Sequence, residues 1–451
     1  MGTSDKRWMS IRQAFAPTRH RPPAPRAPRL RWALLAVGAA ISAALPLQTV
    51  HAETLTLTAA LAAAARNLEV SIATRGLAAA QADITAADHA PLPQLSAKLS
   101  QIDLQNGVGG GNLLTQRRID KGVGLDWTWE RGDKRGLRTE AARRNAAAAA
   151  ADVDEVRTQQ QLATQAAFFD LLAAQGRIEQ LAAIERSARQ TADTARARLK
   201  AGDLAVQDAA RADIEAERVL ADGATAQLDL QRAQFLLAQL TGREAQAASL
   251  SANADWPADT APYAEPKVEP SVDALVEQRA DVRAAAQRVR AAESALQGSS
   301  AQRHSDITWG ASVDHYPGTS TRLVEFRLAM PLAFGYRYEG EIARAQALLD
   351  QARDALEKTR RTAATELQRL RAEMATAAQR AQRYSGEIVP RSRQVAERAE
   401  QAYGKGALPL TDLLDARRTL RAVLLEALAA RTDLAKAQGA WQLRSTAETV
   451  R

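Results

Sequence analysis

Long stretches of the chain are rich in Ala, Arg, Glu, Gln and Leu and almost free of Gly and Pro. These residues are strong helix formers. The pattern predicts helices at residues 55–90, 134–200, 206–241, 270–302, 339–403 and 410–443. Two of them contain about 65 residues, which corresponds to roughly 100 Å at the rise of an α-helix. A compact core cannot hold such a helix, so the pattern indicates coiled coils or an extended helical assembly.

Two short segments between the helices alternate apolar and polar residues with a period of two. In one, Val123, Leu125, Trp127 and Trp129 alternate with Gly124, Asp126, Thr128 and Glu130; in the other, Ile307, Trp309, Ala311 and Val313 alternate with Thr308, Gly310, Ser312 and Asp314. Each segment is predicted to pair with a neighbour, residues 92–104 and 323–330, across a turn-rich loop. The sequence therefore predicts two β-hairpins.

Alternation of large apolar residues with small or charged ones, with Trp and Tyr near the ends, is typical of a transmembrane β-strand. A soluble hairpin with one buried face is the alternative. The export signal described below and the very long helices favour transmembrane strands.

The chain contains an internal repeat, since each half runs helix, hairpin, long helix, short break, helix. Sliding the sequence by 204 positions superposes eleven identical residues between residues 202–234 and 406–438, without a gap. Duplication is the better explanation of this match. The predicted domains are a signal peptide (1–52), a first repeat (53–255, hairpin about 92–130), a Pro-rich linker (256–270), a second repeat (271–443, hairpin about 305–332) and a tail (444–451).

The N-terminus has the features of a secretory signal peptide. Eight basic residues precede an apolar run at residues 32–47, and an Ala-x-Ala-like site predicts Glu53 as the mature N-terminus. These eight charges, set against Asp5, account for +7 of the formal net charge of +8. A nucleic-acid partner therefore loses the support of charge. No other apolar run approaches the ~20 residues of a spanning helix, which argues against an inner-membrane transporter.

Candidate catalytic and metal-binding chemistry is sparse. The chain has no cysteine, so disulfides, thiolate metal sites, Cys nucleophiles and a lipid-bearing Cys are excluded. The spacing of His89, His304 and His315 is not that of a metalloprotease. The Gly-rich run at 107–112 is not followed by Lys-Ser/Thr, which favours an external loop over a phosphate-binding loop. The sequence predicts no enzyme activity, no cofactor and no metal site.

Three segments resemble the TolC-like outer-membrane efflux proteins. The run AYGKGALPLTDLLDARRTL at 402–420 is similar to the family's second-repeat helix-turn-helix, and RLKAGDL at 198–204 to its first-repeat counterpart. RLAMPL at 327–332, followed by GEIARA at 340–345, looks most like the cobalt-zinc-cadmium branch of heavy-metal resistance channels.

This resemblance implies a mainly α fold with a small β part. Long helical hairpins would form a periplasmic α-barrel, and each protomer would give four strands to a twelve-stranded barrel shared by a homotrimer. Four strands cannot close a barrel, and open edges are not tolerated in lipid, so spanning strands require oligomerisation.

The implied function is the outer-membrane channel of a tripartite efflux pump that extends into the periplasm. Its partners would be outer-membrane lipid, a periplasmic adaptor and an inner-membrane transporter of the resistance-nodulation-division type. A type I protein-secretion channel and a periplasmic coiled-coil scaffold without a pore are the alternatives.

The family forms its periplasmic constriction from acids at the positions of Asp412 and Asp415, which share one side of a helix at i and i+3. Three copies would converge six carboxylates on the axis and favour cations. Simple helix capping by Thr411, with acids in the first turn, is the alternative. In the first repeat Asp208 has the place of Asp412, but Arg211 replaces the second acid.

Two further sets of residues are candidates for contacts. The turns at Gly202 and Leu204 and at Gly406 and Leu408 are helix tips where the resemblance implies adaptor docking, although a glycine C-cap explains the backbone alone.

Four aromatic residues are predicted to lie at the membrane interfaces, namely Trp127, Trp129, Trp309 and Tyr316. Four more aromatics lie near them in the sequence, Phe326, Phe334, Tyr336 and Tyr338. Packing in a soluble sheet is the alternative for these aromatics.

Overall fold

The fold was analysed in a computed structural model that describes residues 53–100, 105, 119–256, 271–316 and 320–445. The predicted signal peptide, nearly all of the linker, the Gly-rich loop and the end of the tail lie outside the described residues. The helices are α1 (Leu57–Ala64), α2 (Leu68–Ala87), α3 (Lys134–Lys200), α4 (Val206–Thr241), α5 (Val272–Gln278), α6 (Ala280–Ala301), α7 (Glu339–Arg383), α8 (Val389–Gly404) and α9 (Leu410–Ser445). The strands are β1 (Glu53–Leu55), β2 (Gln94–Ser100), β3 (Asp120–Trp129), β4 (Leu250–Ala252), β5 (Ile307–Tyr316) and β6 (Ser320–Ala329).

The prediction of a mainly helical fold is confirmed, and α3 and α4 begin and end at the predicted residues. Helix α3 has 67 residues. It packs along α2, α4, α6 and α9, while α7 and α8 both pack along α9. None of the helices in the described part of the chain is both long and apolar enough to cross a bilayer.

The predicted helix at 55–90 is two helices, because Asn67 interrupts it. The Asn67 side chain accepts a hydrogen bond from the Glu69 amide at 3.2 Å and donates to the Leu240 carbonyl at 3.0 Å. It therefore caps α2 and ties the break to the end of α4. The predicted helix at 270–302 is similarly divided, at Arg279.

The predicted helix at 339–403 contains a π-helical turn at Tyr384–Ile388. Pro390 lies in the first turn of α8. A proline has no amide hydrogen and its ring clashes with the carbonyl four residues earlier, here that of Gly386. A widened turn relieves this clash, so Pro390 accounts for the change from α7 to α8.

The core consists of small clusters along the helices rather than one large interior. One cluster packs Leu55 and Leu250, from the parallel pair of β1 and β4, against Phe168, Leu171 and Leu237 of α3 and α4. A second joins α3, α4, α8 and α9 near Gly202 and Gly406 through alanines and leucines. Alanine at these contacts lets the helix axes approach closely over a long distance.

The two predicted hairpins form one antiparallel sheet of order β2-β3-β5-β6. Strands β3 and β5 join the hairpins, with Trp127 opposite Trp309 and Gly124 opposite Ser312. Strands β2 and β6 lie at the two edges, each paired with one strand of the described sheet.

Candidate functional site

One face of the sheet is polar, and its glycines make room for carboxylates. Gly310 lies opposite Asp126, and a Cβ atom at Gly310 would overlap the Asp126 carboxylate. Gly122 has the same relationship to Asp314. Arg327 of β6 donates to Asp126 at 3.1 Å, and Ser312 to Asp314 at 2.6 Å. This face is therefore closely packed although its side chains are polar.

The other face of the sheet is apolar and open. Its exposed side chains include Leu95, Leu99, Val123, Leu125, Trp127, Trp129, Trp309, Val313, Val324, Phe326 and Leu328. Trp127 is 57% exposed and Trp309 is 53% exposed, although they are direct neighbours across the strands. A soluble sheet buries its apolar face, whereas here the apolar face is exposed and the polar face is packed. The structure therefore argues against the soluble-hairpin alternative.

The predicted interface aromatics lie at opposite ends of the sheet. Trp127 and Trp129 end β3 beside α3, and Trp309 is level with Trp127. Tyr316 ends β5 at the far end, where Lys98 lies 5.7 Å from the centre of its ring. The tryptophans therefore lie on the apolar face at one end of the sheet, whereas Tyr316 lies at the other end on the polar face, with Lys98 and Asp314.

The two predicted helix tips pack together. Gly202 and Gly406 are left-handed, with φ of 82° and 76°, and they follow the ends of α3 and α8. The Asp203 amide donates to the Arg198 carbonyl and the Ala407 amide to the Ala402 carbonyl, both at 2.9 Å, as in a glycine C-cap. Leu204 and Leu408 pack on the same hydrophobic cluster, and the Arg198 guanidinium lies 4.7 Å from the centre of the Tyr403 ring.

Asp412 and Asp415 both lie on the first two turns of α9, directly after the second tip. The helix begins at Leu410, so Thr411 is already inside it and is not its N-cap. Thr411 instead donates to the Asp412 carboxylate at 3.3 Å. Asp415 is 74% exposed and lies 3.4 Å from Arg418, whose charge partly offsets its own. The first-repeat residue Asp208 pairs with Arg211 at the same distance.

An ion-pair cluster that the sequence did not suggest joins the two repeats behind this tip. Glu215 of α4 is buried and lies 2.7 Å from Arg418 and 3.2 Å from Arg421 of α9. Arg421 also lies 3.5 Å from Asp222. The cluster borders a cavity of about 220 Å³ between α3, α4, α8 and α9. No motif signals it, because the partners are about 200 residues apart in the sequence.

A second link between elements lies at the π-helical turn. The Tyr384 hydroxyl donates to Glu426 of α9 at 2.8 Å, and this bond raises the pKa of the Tyr384 phenol. Arg380 pairs with Asp433 of α9 at 2.8 Å and lies 5.8 Å from the centre of the Tyr384 ring. Both links hold the turn against α9.

Within the described ranges, no group of three or more His, Cys, Asp or Glu side chains could hold a metal ion. The helices are very long, the sheet has its apolar face outwards, and the helix tips cluster at one end. These features fit the class of outer-membrane efflux channels.

The chain belongs to the outer membrane efflux protein family, which matches residues 60–243 and 272–442. No curated protein sequence matches it. Among solved structures, it is similar to the outer membrane protein VceC of Vibrio cholerae (20% identity, 87% of this chain and 97% of that one, TM-score 0.69). It is also similar to a membrane protein of Pseudomonas aeruginosa (18% identity, 86% of this chain and 93% of that one, TM-score 0.73). A third similar structure is the CmeC outer membrane channel of Campylobacter jejuni (14% identity, 86% of this chain and 85% of that one, TM-score 0.73).

The family assigns the function and the location. The protein is an outer-membrane channel of a tripartite efflux pump, in which it works with an adaptor and an inner-membrane transporter. It resides in the outer membrane and extends into the periplasm.

Proposed function

We propose that three copies of the chain form one passive channel with a shared twelve-stranded barrel and a helical periplasmic tunnel. The observation that carries this proposal is the sheet itself, with its open apolar face and its two edge strands, β2 and β6. In lipid, the backbone groups at these edges need partners, and β6 of one copy can pair with β2 of the next. The polar face, with Asp126, Asp314 and Arg327, would then line the lumen.

The domains proposed for this channel are the two repeats, residues 53–255 and 271–443, joined by the linker at 256–270. We propose that the tips at Gly202, Leu204, Gly406 and Leu408 receive the adaptor. Their packing on one shared cluster supports this, because it presents both tips as a single surface. Trp127, Trp129 and Trp309 would lie at the periplasmic membrane interface. The prediction of Tyr316 as an interface aromatic is not supported, because its ring lies on the polar face with Lys98.

Asp412 and Asp415 are proposed to line the constriction at the periplasmic mouth. Their position supports this role, since both follow the second tip directly and Asp415 is well exposed. A ring of carboxylates favours cations.

The proposed transporter is of the resistance-nodulation-division type, and the proposed cargo is small. Divalent metal cations are favoured as cargo by the resemblance of residues 327–332 and 340–345 to the heavy-metal branch. The duct itself performs no catalysis.

Conductance in a planar lipid bilayer tests the channel. The purified protein should migrate as a trimer and give discrete single-channel currents that favour cations. A trimer without conductance would contradict the channel and favour a scaffold.

For the cargo, a deletion strain should become sensitive to cobalt, zinc or cadmium, and the cloned gene should restore growth. Sensitivity only to dyes and antibiotics would contradict the metal cargo and leave the channel in place.

A further inference from the structure

The cavity between the two repeats has mainly apolar walls. Its volume is about 220 Å³, and it is lined by residues of α3, α4, α8 and α9. The apolar lining includes Ile184 of α3, Val219 of α4 and Leu414, Leu420 and Leu424 of α9. An apolar cavity of roughly 150 Å³ is large enough to hold a benzene molecule. The cavity therefore has room for one aromatic ring with a short substituent.

The polar lining of the cavity is balanced in charge. Its ionisable residues are Glu215, Glu400, Arg417 and Arg421. Arg417 lies 2.8 Å from Glu400, and Arg421 lies 3.2 Å from Glu215. Since each charge already has an opposite partner, an ionised ligand would lose its hydration without a net attraction in return. The cavity therefore favours a neutral ligand.

One donor in this polar lining lacks an acceptor. The Arg421 Nη1 atom is buried and makes no hydrogen bond within the described part of the chain. Its contacts with Glu215 and Asp222, at 3.2 and 3.5 Å, do not have the geometry of a hydrogen bond. A buried donor without an acceptor costs free energy, which an acceptor supplied by a ligand would recover. Water can occupy the polar end, but the apolar walls offer it no partners.

We propose that this cavity is a binding site for a small neutral aromatic molecule that carries one hydrogen-bond acceptor, such as a carbonyl oxygen. The ring packs between Ile184, Val219 and Leu424, and the acceptor receives a hydrogen bond from Arg421 Nη1. Ala183 and Glu400 line the cavity and are exposed, so a ligand enters without unfolding of the helices. The cavity lies within one copy of the chain, so the site depends neither on the trimer nor on a pore.

The site would couple a bound molecule to the junction between the repeats. Its walls come from α3 and α4 of the first repeat and from α8 and α9 of the second, and Glu215 and Arg421 join α4 to α9 beside it. A ligand that fits this arrangement of helices loses its contacts when the helices separate. By linkage, it therefore stabilises the arrangement once its concentration exceeds the dissociation constant. Binding is then visible as slower exchange of the amide hydrogens in these helices.

Acetophenone is a suitable probe, because it is a neutral ring with one carbonyl oxygen. Its matched control is α-methylstyrene, in which a methylene group replaces that oxygen. Hydrogen exchange of the full chain in detergent is measured over a concentration series of each compound, at residues 183–188, 212–219 and 414–424 around the cavity. Residues 363–370 of α7 do not line the cavity and report effects shared by the whole chain.

Four variants are compared with the unaltered chain. Ala188→Leu fills the cavity, whereas Ala182→Leu adds the same side chain at an exposed position of the same helix outside the cavity. Arg421→Met removes the donor. Arg418→Met removes the other arginine that contacts Glu215, and this arginine does not line the cavity. The exchange of residues 363–370 verifies that each variant is folded.

Acetophenone should slow exchange around the cavity in a saturable manner, at concentrations about tenfold lower than α-methylstyrene, because a hydrogen bond to a charged donor is worth about that factor. Ala188→Leu should abolish this protection, and Ala182→Leu should keep it. Arg421→Met should make the two compounds equal, whereas Arg418→Met should keep the difference between them.

Protection that does not saturate, or that persists in Ala188→Leu, would overturn the site, since it would reflect partition into detergent or onto the exposed sheet. Equal binding of the two compounds by the unaltered chain would overturn the role of Arg421 and with it the proposed class of ligand.

Discussion

Glu215 and Arg418 join helices α4 and α9 through an ion pair of 2.7 Å, and only 9% of the Glu215 side chain is exposed. A buried carboxylate that loses a partner is costly, because its desolvation is no longer offset. Since Arg421 lies on the other side of Glu215, the carboxylate keeps one partner when Arg418 is removed. The pair therefore holds one repeat against the other close to the helix tips.

We predict that Arg418→Ala loosens this junction. The expected cost is about 1–2 kcal/mol, less than for a fully buried broken pair, because Arg421 remains and Arg418 is partly exposed. Amide hydrogens of α4 and α9 near Glu215 should exchange roughly tenfold faster, as about 1.4 kcal/mol corresponds to a factor of ten. The matched control is Arg211→Ala, which removes an exposed pair with Asp208. Equal exchange in both variants would show that the junction depends on packing alone.

The second prediction concerns the constriction. Asp412→Asn should weaken cation selectivity in a planar bilayer more than Asp415→Asn, because Arg418 already offsets part of the charge of Asp415. The double variant should be the least selective, with its trimer intact. Reversal potentials under a salt gradient measure the effect. If they do not move in the double variant, the acidic ring does not control selectivity.

The third prediction concerns the glycines of the polar sheet face. Gly122→Ala places a methyl group on the Asp314 carboxylate, which must leave its bond with Ser312. Overpacking of this kind costs about 1–3 kcal/mol, so the trimer should dissociate at a lower temperature on gels. Gly223→Ala is the control: it lies within α4 with no atom near its Cβ position, and alanine there should stabilise the helix by roughly 0.5–1 kcal/mol. If the dissociation temperature moved in the same direction in Gly122→Ala and Gly223→Ala, the steric explanation would be contradicted.

The fourth prediction concerns pH. The bond with Glu426 raises the pKa of Tyr384 above its ordinary value of about 10. A group whose pKa is raised by folding stabilises the folded state below its unfolded pKa, and this contribution is lost as pH rises through the folded pKa. The link at the π-helical turn should therefore be constant near neutral pH and fail only in strong alkali.

Absorbance titration of the phenolate measures this effect, with Tyr384→Phe subtracted to isolate one of the six tyrosines. In Glu426→Gln, the transition of Tyr384 should move towards lower pH, because the carboxylate that disfavours the phenolate is gone. Ser385→Ala is a neighbouring control, and it should leave the transition in place. An unchanged transition in Glu426→Gln would mean that the hydrogen bond is not maintained in solution.

The long elements were predictable because they depend on local composition. Helices α3 and α4 end where glycines interrupt the helical composition, and the alternation around Trp127 and Trp309 gave the central strands. The interruptions within helices were harder to find. Asn67 is a good capping residue, but its effect depends on the Leu240 carbonyl about 170 residues away. Pro390 is visible in the sequence, but a proline alone does not show that the helix continues through a π-helical turn instead of ending.

Contacts between distant segments could not be predicted from the sequence. Strands β1 and β4 have three residues each and form only because α3 and α4 bring them together, so no local period reveals them. The cluster of Glu215, Arg418 and Arg421 has the same cause. In the candidate site, the sequence indicated Asp412 and Asp415 but not the arginine that partly neutralises one of them.

The reversed polarity of the sheet has a consequence for how the protein is made. A chain that crosses the periplasm in water carries strands whose Trp, Phe and Leu side chains have nothing to cover them and whose edges invite pairing with any other strand. The helices close several apolar clusters within one copy, although side chains such as Leu68, Ile72 and Phe235 remain exposed on them. A single copy that has not yet reached the membrane therefore exposes an aggregation-prone sheet, and we expect this apolar face to be covered only when the chain is inserted and assembled.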